Sequence, residues 1–384
     1  MTAPRAYLDW NASAPLLPEA RAAMLAAMDE VGNPSSIHAE GRASRMIVEE
    51  ARAEIAALVG GDAEGVVFTS GASEAINGVL RQGLTGGLAR APHARLIIGA
   101  SEHAAVFAAA GRDTTILPVG PDGRIDQAAL SALLADGPSA LVAIQLANNE
   151  TGILQDIPVL GERVHAAAGA LVVDAVQGPG RLPIDFRALG SDAIFLSAHK
   201  FGGPKGVGAI VFRDGRTRLD HAFIAGGGQE RGHRGGTENV IGIAGMGAAA
   251  RAVRASDEAA QTMNQLRDHF ENRLMHIAPD VRIVGKGAPR LANTTCFAIP
   301  GLPADKALIA FDLDGVAVSS GSACSSGKVK ASHVLKAMGE PDWVIGGAIR
   351  VSIGGTTTMD EIGRCLASLE KQVKRIRSKA ASAA

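Results

Sequence analysis

A chain of 384 residues exceeds what one small core needs and points to about two domains. Only 3% of the residues are aromatic and 47 are glycine, which favours closely packed helices and tight turns over a β-sandwich. A formal net charge of −1 provides no field of one sign to gather nucleic acid or an anionic membrane, so partners must be recognised locally.

The opening Met1 to Trp10 lacks the apolar run of a signal peptide, and no later stretch reaches the ~18 apolar residues of a spanning helix. A soluble, cytoplasmic protein is expected. Short apolar runs bounded by Gly, Pro or polar residues then mark strands at Gly65–Thr69, Arg95–Ile98, Thr115–Val119, Ala140–Leu146, Ala170–Val173, Ala193–Ser197 and Gly208–Phe212. Helical patterns lie between several of them. Pro158 to Ala168 is one, with Val159, Leu160 and Val164 at helical spacing and Gly169 as a stop. Such alternation implies a mainly parallel sheet covered on both faces, with ligands collecting at the carboxyl ends of the strands.

From about Gly228 the texture changes. The Gly/Arg-rich passage Gly226 to Asn239 leads into a helical run over Val240 to Ile277, interrupted near Ser256. Strand-like pieces follow at Val281–Val284, Thr294–Ala298 and Val316–Ser319. A final helix begins at a Thr358/Glu361 capping box, with Ile362, Leu366, Leu369, Val373 and Ile376 on one face. The basic residues near its end complement the helix dipole.

Four places carry chemistry. Phe68 to Asn77 reads as a strand turning through Ser70-Gly71 into a helix, either an ordinary βα turn or an anion site at the helix N-terminus. Asp174 ends an apolar strand, either as a helix cap or as a carboxylate at the ligand edge that pairs with a protonated pyridine nitrogen. Lys200 follows a strand among Ser197, His199 and Gly202, either as a solvated surface lysine or as one that reaches into a site and suits Schiff-base chemistry with an aldehyde cofactor, provided burial or a neighbouring cation lowers its pKa. Cys324 lies in Ser319-Ser-Gly-Ser-Ala-Cys-Ser-Ser-Gly327, which has no large apolar side chain for a thiol to pack against, and reads either as an incidental cysteine in a Ser/Gly linker or as a thiol on a flexible arm suited to sulfur chemistry between two places. Small residues lose much backbone entropy on ordering, so this segment is expected to be mobile or fixed only by a partner. Cys296 and Cys365 read as ordinary buried residues, and three scattered cysteines predict no disulfide. No His-Glu-x-x-His or Cys-x-x-Cys is present, so no bound metal is expected. Gly206-Val207-Gly208 and Gly203 to Gly206 are incomplete as dinucleotide or Walker motifs.

Taken in order, Gly32-Asn-Pro-Ser-Ser36, Ser70-Gly-Ala-Ser-Glu74, Glu102-His103, Asn148-Asn-Glu-Thr-Gly152, Asp174-x-x-Gln177, Ser197-Ala-His-Lys200, Arg231 to Asn239 and Ser319 to Gly327 resemble the cysteine desulfurases of the NifS/IscS type. The likeness runs over nearly the whole chain. It implies an α/β, PLP-dependent transferase fold like that of aspartate aminotransferase. A large domain at 14–257 would hold a mainly parallel seven-stranded sheet, and residues 1–13 and 258–384 would form a smaller α/β domain carrying Cys324. The implied cofactor is pyridoxal 5'-phosphate, bound covalently by Lys200. Asp174 would meet its ring nitrogen, Gln177 its phenolic oxygen and His103 its ring face, with Asn149 near both ring and substrate. Ala72, Ser73, Ser197 and His199 would hold the phosphate, together with Thr237 reaching across a homodimer interface.

The same likeness makes Arg350 the clamp on the substrate carboxylate and Cys324 the acceptor of sulfur from L-cysteine, with His103 as its proton partner. The persulfide would pass to an acceptor such as an iron–sulfur scaffold protein. A selenocysteine lyase or an aminotransferase of the same class is the alternative reaction. Trp10, Ser13, Ser73 and Ala198 depart from the usual pattern, and Trp10 is expected to reshape the entrance.

Overall fold

Seven short runs assemble into one sheet: β1 (Val66–Thr69), β2 (Arg95–Gly99), β3 (Thr115–Leu117), β4 (Ala140–Gln145), β5 (Ala170–Asp174), β6 (Ala193–Ser197) and β7 (Gly208–Phe212). Their order is β1-β7-β6-β5-β4-β2-β3, and β7 alone runs against the rest. The structure, a computed structural model, describes residues 5–86, 93–254, 257–321 and 331–383.

Both faces of the sheet are apolar because alternate residues of each strand are. Val66, Phe68, Val142, Ile144, Leu171 and Val173 share one core with Val48 and Ile55 of a helix at Ala39–Val59 and with Ile243 and Met246 of another at Val240–Arg254. Val67, Leu141, Ala143, Val172 and Phe195 point the other way. They pack against Ile76 and Val79 of α1 (Ala72–Gln82) and Val106 of α2 (Ala104–Ala110). Runs apolar on both faces are what a doubly covered parallel sheet requires.

A second sheet is antiparallel: β8 (Arg282–Ile283), β9 (Thr294–Ala298), β10 (Ser319–Ser320) and β11 (Ile349–Ser352), in the order β8-β9-β11-β10. Its core joins Phe270, Phe297, Phe311, Ile349, Ile362 and Leu369. Ala6 and Leu8 pack there too, and Ala6–Tyr7 pairs in parallel with Val316–Ala317. The capping box of the last helix forms as expected: Thr358 N donates to Glu361 Oε2 at 2.9 Å and Glu361 N to Thr358 Oγ1 at 3.3 Å. No helix among the described residues is long and apolar enough to cross a membrane.

One buried ion pair fastens the edge strand that leads into the site. Arg52 (4% exposed side chain) and Glu230 (3%) meet in two parallel 2.9 Å bonds. Arg52 also donates to the Val66 carbonyl at 2.7 Å, and Glu230 accepts the Phe68 amide at 2.8 Å. To reach this geometry Glu230 and Arg231 adopt φ of 47° and 56°, a left-handed strain held by the pair. Arg52→Leu therefore strands a buried carboxylate and is expected to cost about 3–5 kcal/mol in denaturant unfolding, whereas Arg52→Leu with Glu230→Leu recovers part of that loss.

Candidate active site

The carboxyl ends of the parallel strands converge on a cavity of about 560 Å³. β1 delivers Ser70, β4 Gln145, β5 Asp174 and β6 Ser197, while Glu102 and His103 follow β2. Ala72, Ser73, His103, Asn149, Asp174, Gln177, Ser197, His199, Lys200 and Arg350 all line this one space. It thus gathers every expected site residue except Thr237 and Cys324. Thr237 lies in a neighbouring cavity of about 210 Å³ that shares Ser70 and Gly206 with the first. Cys324 lies outside the described residues.

At one end α1 starts at Gly71 with no side chain capping it, so the first-turn amides at Ala72 and Ser73 meet the cavity as donors. The backbones are closely apposed here: a Cβ on Gly208 would stand 2.7 Å from Gly71 Cα and 2.6 Å from the Leu196 carbonyl oxygen, so position 208 admits only glycine. His199 Nδ1 lies 3.3 Å from Ser13 Oγ. Burial, then the charges of Lys200, Lys205 and Arg181, push its pKa down to about 4, so the ring is neutral. Lys205, which the sequence reading passed over, adds a cation to this wall.

Lys200 sits in a single 3₁₀ turn after β6 and donates Nζ–H bonds to the carbonyls of Asn11 (2.7 Å) and Ala12 (2.9 Å). Asp174 accepts the Val176 amide at 3.0 Å, so it caps the turn after β5, yet its carboxyl also faces the cavity. Burial raises its pKa, while His103 and Lys200 oppose that shift. Gln177 donates to the Asn11 carbonyl at 3.1 Å and leaves Oε1 buried without a partner.

His103 is the N-cap of α2, its Nδ1 accepting the Ala105 amide at 3.1 Å. That bond places the proton of the neutral ring on Nε2. Beneath it Glu102 is wholly buried. Its Oε1 accepts the Gln145 amide at 3.0 Å, Oε2 has no partner, and burial holds its pKa well above the carboxylate range.

Arg350, 2% exposed, is buried and paired with Asp9 inside the protein rather than at its surface. Nη2 binds Asp9 Oδ1 at 2.6 Å, Nη1 binds the Asn149 carbonyl at 3.0 Å, and Nε is buried with no partner. A buried guanidinium with an unused N–H is ready for one more acceptor.

Trp10 is not among the residues that line this cavity. Its ring lies against Gly354, where a Cβ would come within 2.1 Å of it, and it lines a separate cavity of about 260 Å³ beyond Lys200 and Arg181. Ala198 is accommodated by Gly203, whose Cβ would meet that of Ala198 at 2.7 Å. Asn11, Glu102 and Glu150 are further polar residues near the site to which the sequence motifs assign no role. Asn11 had a signal in the Asp9-Trp-Asn-Ala-Ser13 opening, and Glu150 in its place beside Asn149.

The polar groups fit a phosphorylated pyridine aldehyde: the Lys200 amine, the Asp174 carboxyl, an uncapped helix N-terminus and the Gln177 side chain, whose buried Oε1 has no partner, line one cavity. Among the described residues no group of three or more His, Cys, Asp or Glu could hold a metal ion.

Residues 6–365 match the aminotransferase class-V family. A cysteine desulfurase of Cereibacter sphaeroides is 41% identical over 97% of both chains. The cysteine desulfurase IscS of Dictyoglomus turgidum is 37% identical, covering 97% of this chain and 95% of its own. Among solved structures, a NifS-like protein from Rickettsia africae superposes with a TM-score of 0.87 at 32% identity, over 97% of this chain and 100% of that one.

Two outcomes test the electrostatics. Cys296 and Cys365 are fully buried with thiols pushed up to about 12, so iodoacetamide at mildly alkaline pH should label neither in the native protein, and peptide mass spectrometry should find both alkylated only after denaturation. His199, held near 4 against an ordinary 6.5, contributes stability that is complete above 6.5 and lost as pH falls from 6.5 toward 4. Acid titration of His199→Gln, followed by circular dichroism, should show a shallower loss over that window.

Proposed function

This chain belongs to the aminotransferase class-V family, and we infer that within it the protein is a cysteine desulfurase that converts L-cysteine to L-alanine and keeps the sulfur. The observation that carries the reading is the meeting of Lys200, Asp174, the uncapped start of α1 and Arg350 in one cavity. Pyridoxal 5'-phosphate is the cofactor these groups suit. Bound there, it would supply an electron sink for the carbanion formed when the substrate loses its α-proton.

The chain's own residues do the rest. Arg350 turns its free Nε–H, and the N–H bonds it lends to Asp9 and Asn149, toward the substrate carboxylate. Lys200 leaves the Asn11 and Ala12 carbonyls to hold the cofactor and then moves the α-proton. Asp174, whose burial resists ionisation, is charged most readily opposite a protonated ring nitrogen. Ala72 and Ser73 amides, Ser197, neutral His199 and Thr237 of a second subunit would ring the phosphate, which makes a homodimer the working unit.

The thiolate of Cys324 attacks the substrate sulfur. An S–S bond forms, the substrate Cβ–S bond breaks, and Cβ takes a proton to become the methyl group of alanine. The two sulfurs are oxidised to the disulfide level as that carbon is reduced, so no outside oxidant is needed. His103 takes the Cys324 proton on Nδ1 only by releasing the Ala105 amide. The persulfide then passes to an acceptor, for which an iron–sulfur scaffold in the cytoplasm is the proposed partner.

Cys324→Ala should abolish protein-bound persulfide and cut alanine formation from cysteine by about a hundredfold or more, with cofactor absorbance retained. Lys200→Ala should instead lose the covalent cofactor mass after borohydride reduction. Full alanine production by Cys324→Ala would overturn the persulfide route and favour a lyase or transaminase reaction of the same fold.

A further inference from the structure

Glu150 has no role in the chemistry above, yet one of its oxygens lies between the two stems of the cysteine-bearing segment. Its loop is held by Asn148 Oδ1, which accepts the amides of Glu150 and Thr151 at 2.9 Å each. The side chain is buried, 4% exposed. Oε2 accepts Ser332 Oγ–H at 2.5 Å, and the same hydroxyl accepts the Leu335 amide at 3.1 Å, so its own proton is committed to Glu150. On the opposite side a Cβ on Gly321 would stand 2.8 Å from that same Oε2. Gly321 and Ser332 flank Cys324 on either side in the chain. Both stems are anchored again just beyond: Ser320 pairs with Ile349 in the second sheet, and His333 Nε2 lies 2.8 Å from the Glu102 carbonyl oxygen.

We propose that Glu150 is a positioning residue for sulfur transfer: its carboxylate fixes both stems of the Cys324 segment, Ser332 by a hydrogen bond and Gly321 by close packing, and its charge governs how firmly they are held. This inference rests on the desulfurase reading and adds a residue to it. The charged and titratable groups around Glu150 come from three elements: Arg350 on β11 and His103 at the start of α2 favour its anion, and the Cys296 thiol on β9 is disfavoured by it. Burial is the larger effect and places the Glu150 pKa at about 7. Below that pH the carboxyl is neutral and its bond to Ser332 an ordinary one. Above it the bond is charge-assisted, as its 2.5 Å length befits. The well-held state is therefore the alkaline one.

The test uses the holoenzyme with L-cysteine, following kcat, KM and Cys324 persulfide by mass spectrometry across neutral pH. Glu150→Gln keeps the volume and removes the titration. It should leave cofactor absorbance and KM within about twofold, lower kcat about tenfold on the alkaline side, and erase the inflection near 7 from the kcat profile. Ser332→Ala removes the bond that favours the anion, so its inflection should move to higher pH, a readout that survives if Glu150→Gln fails to fold. A Glu150→Gln profile superimposable on that of the wild type, or a lower Tm with the inflection unmoved, overturns the proposal. Absence of persulfide in the wild type would instead overturn the desulfurase reading itself.

Discussion

The site depends on the carbonyl oxygen of Asn11. It accepts Lys200 Nζ at 2.7 Å and Gln177 Nε2 at 3.1 Å, so the amine and the amide that face the cavity are aimed by one acceptor. Asn11 itself is 1% exposed and fully engaged, with Nδ2 on Thr294 Oγ1 and the Asn149 carbonyl, and Oδ1 on Asn293 Nδ2. Its backbone amide binds Ser352 Oγ at 3.0 Å. The short strap from Asp9 to Ala14 thus belongs by its contacts to the second sheet and by its function to the first. With each of its own polar groups satisfied, Asn11 sets a single geometry for the groups that it holds. Displacing the strap would release Lys200 and Gln177, and with them Arg350, whose ion-pair partner is Asp9.

Around that strap burial drives the ionisable groups toward their neutral forms. Asp174, Glu102 and Glu150 are raised, while His199 falls to about 4 and Arg181 to about 9. Arg181 has no carboxylate among its bonds, only the Gln177 and Trp10 carbonyls, and the charge of Arg350 opposes it. Several groups in one site are thus held from their usual charge, chiefly by burial. A ligand with a phosphate at one end and a cationic ring nitrogen at the other would meet the helix N-terminus and Lys205 with the first and Asp174 with the second. Its binding would stabilise the folded state by mass action.

The sheet was legible because each strand is a short β-rich run closed by Gly, Pro or a polar residue, and all seven central strands stand where the runs do. The helices at Pro18–Met28 and Ala39–Val59 were not. The first begins after Leu17 with no side-chain cap, and the second is capped by the imidazole of His38, so neither shows the Ser, Thr or Asp that marks a helix start. Trp10 was misplaced for a related reason: a residue's sequence neighbours do not say which side of the strap its side chain takes. Asn11 and Glu150 lacked legible roles because both act through partners about 140 to 340 residues away, Ser352 and Asn149 for one, Ser332 for the other, and only the folded chain brings these together.

Cys296 shows what the proposed reaction would demand of a thiol. It stands directly opposite Arg350 across β9 and β11. Yet burial, with Glu150 next, pushes it up to about 12, and as a thiol it has almost no nucleophile to offer at neutral pH. Proximity to Arg350 is therefore not enough. In the proposed reaction a sulfur carrier must ionise at working pH and must afterwards reach an acceptor, and a thiol sealed into a strand can do neither. Both requirements would exclude the packed core and favour a cysteine set among serines and glycines in the sequence, as Cys324 is.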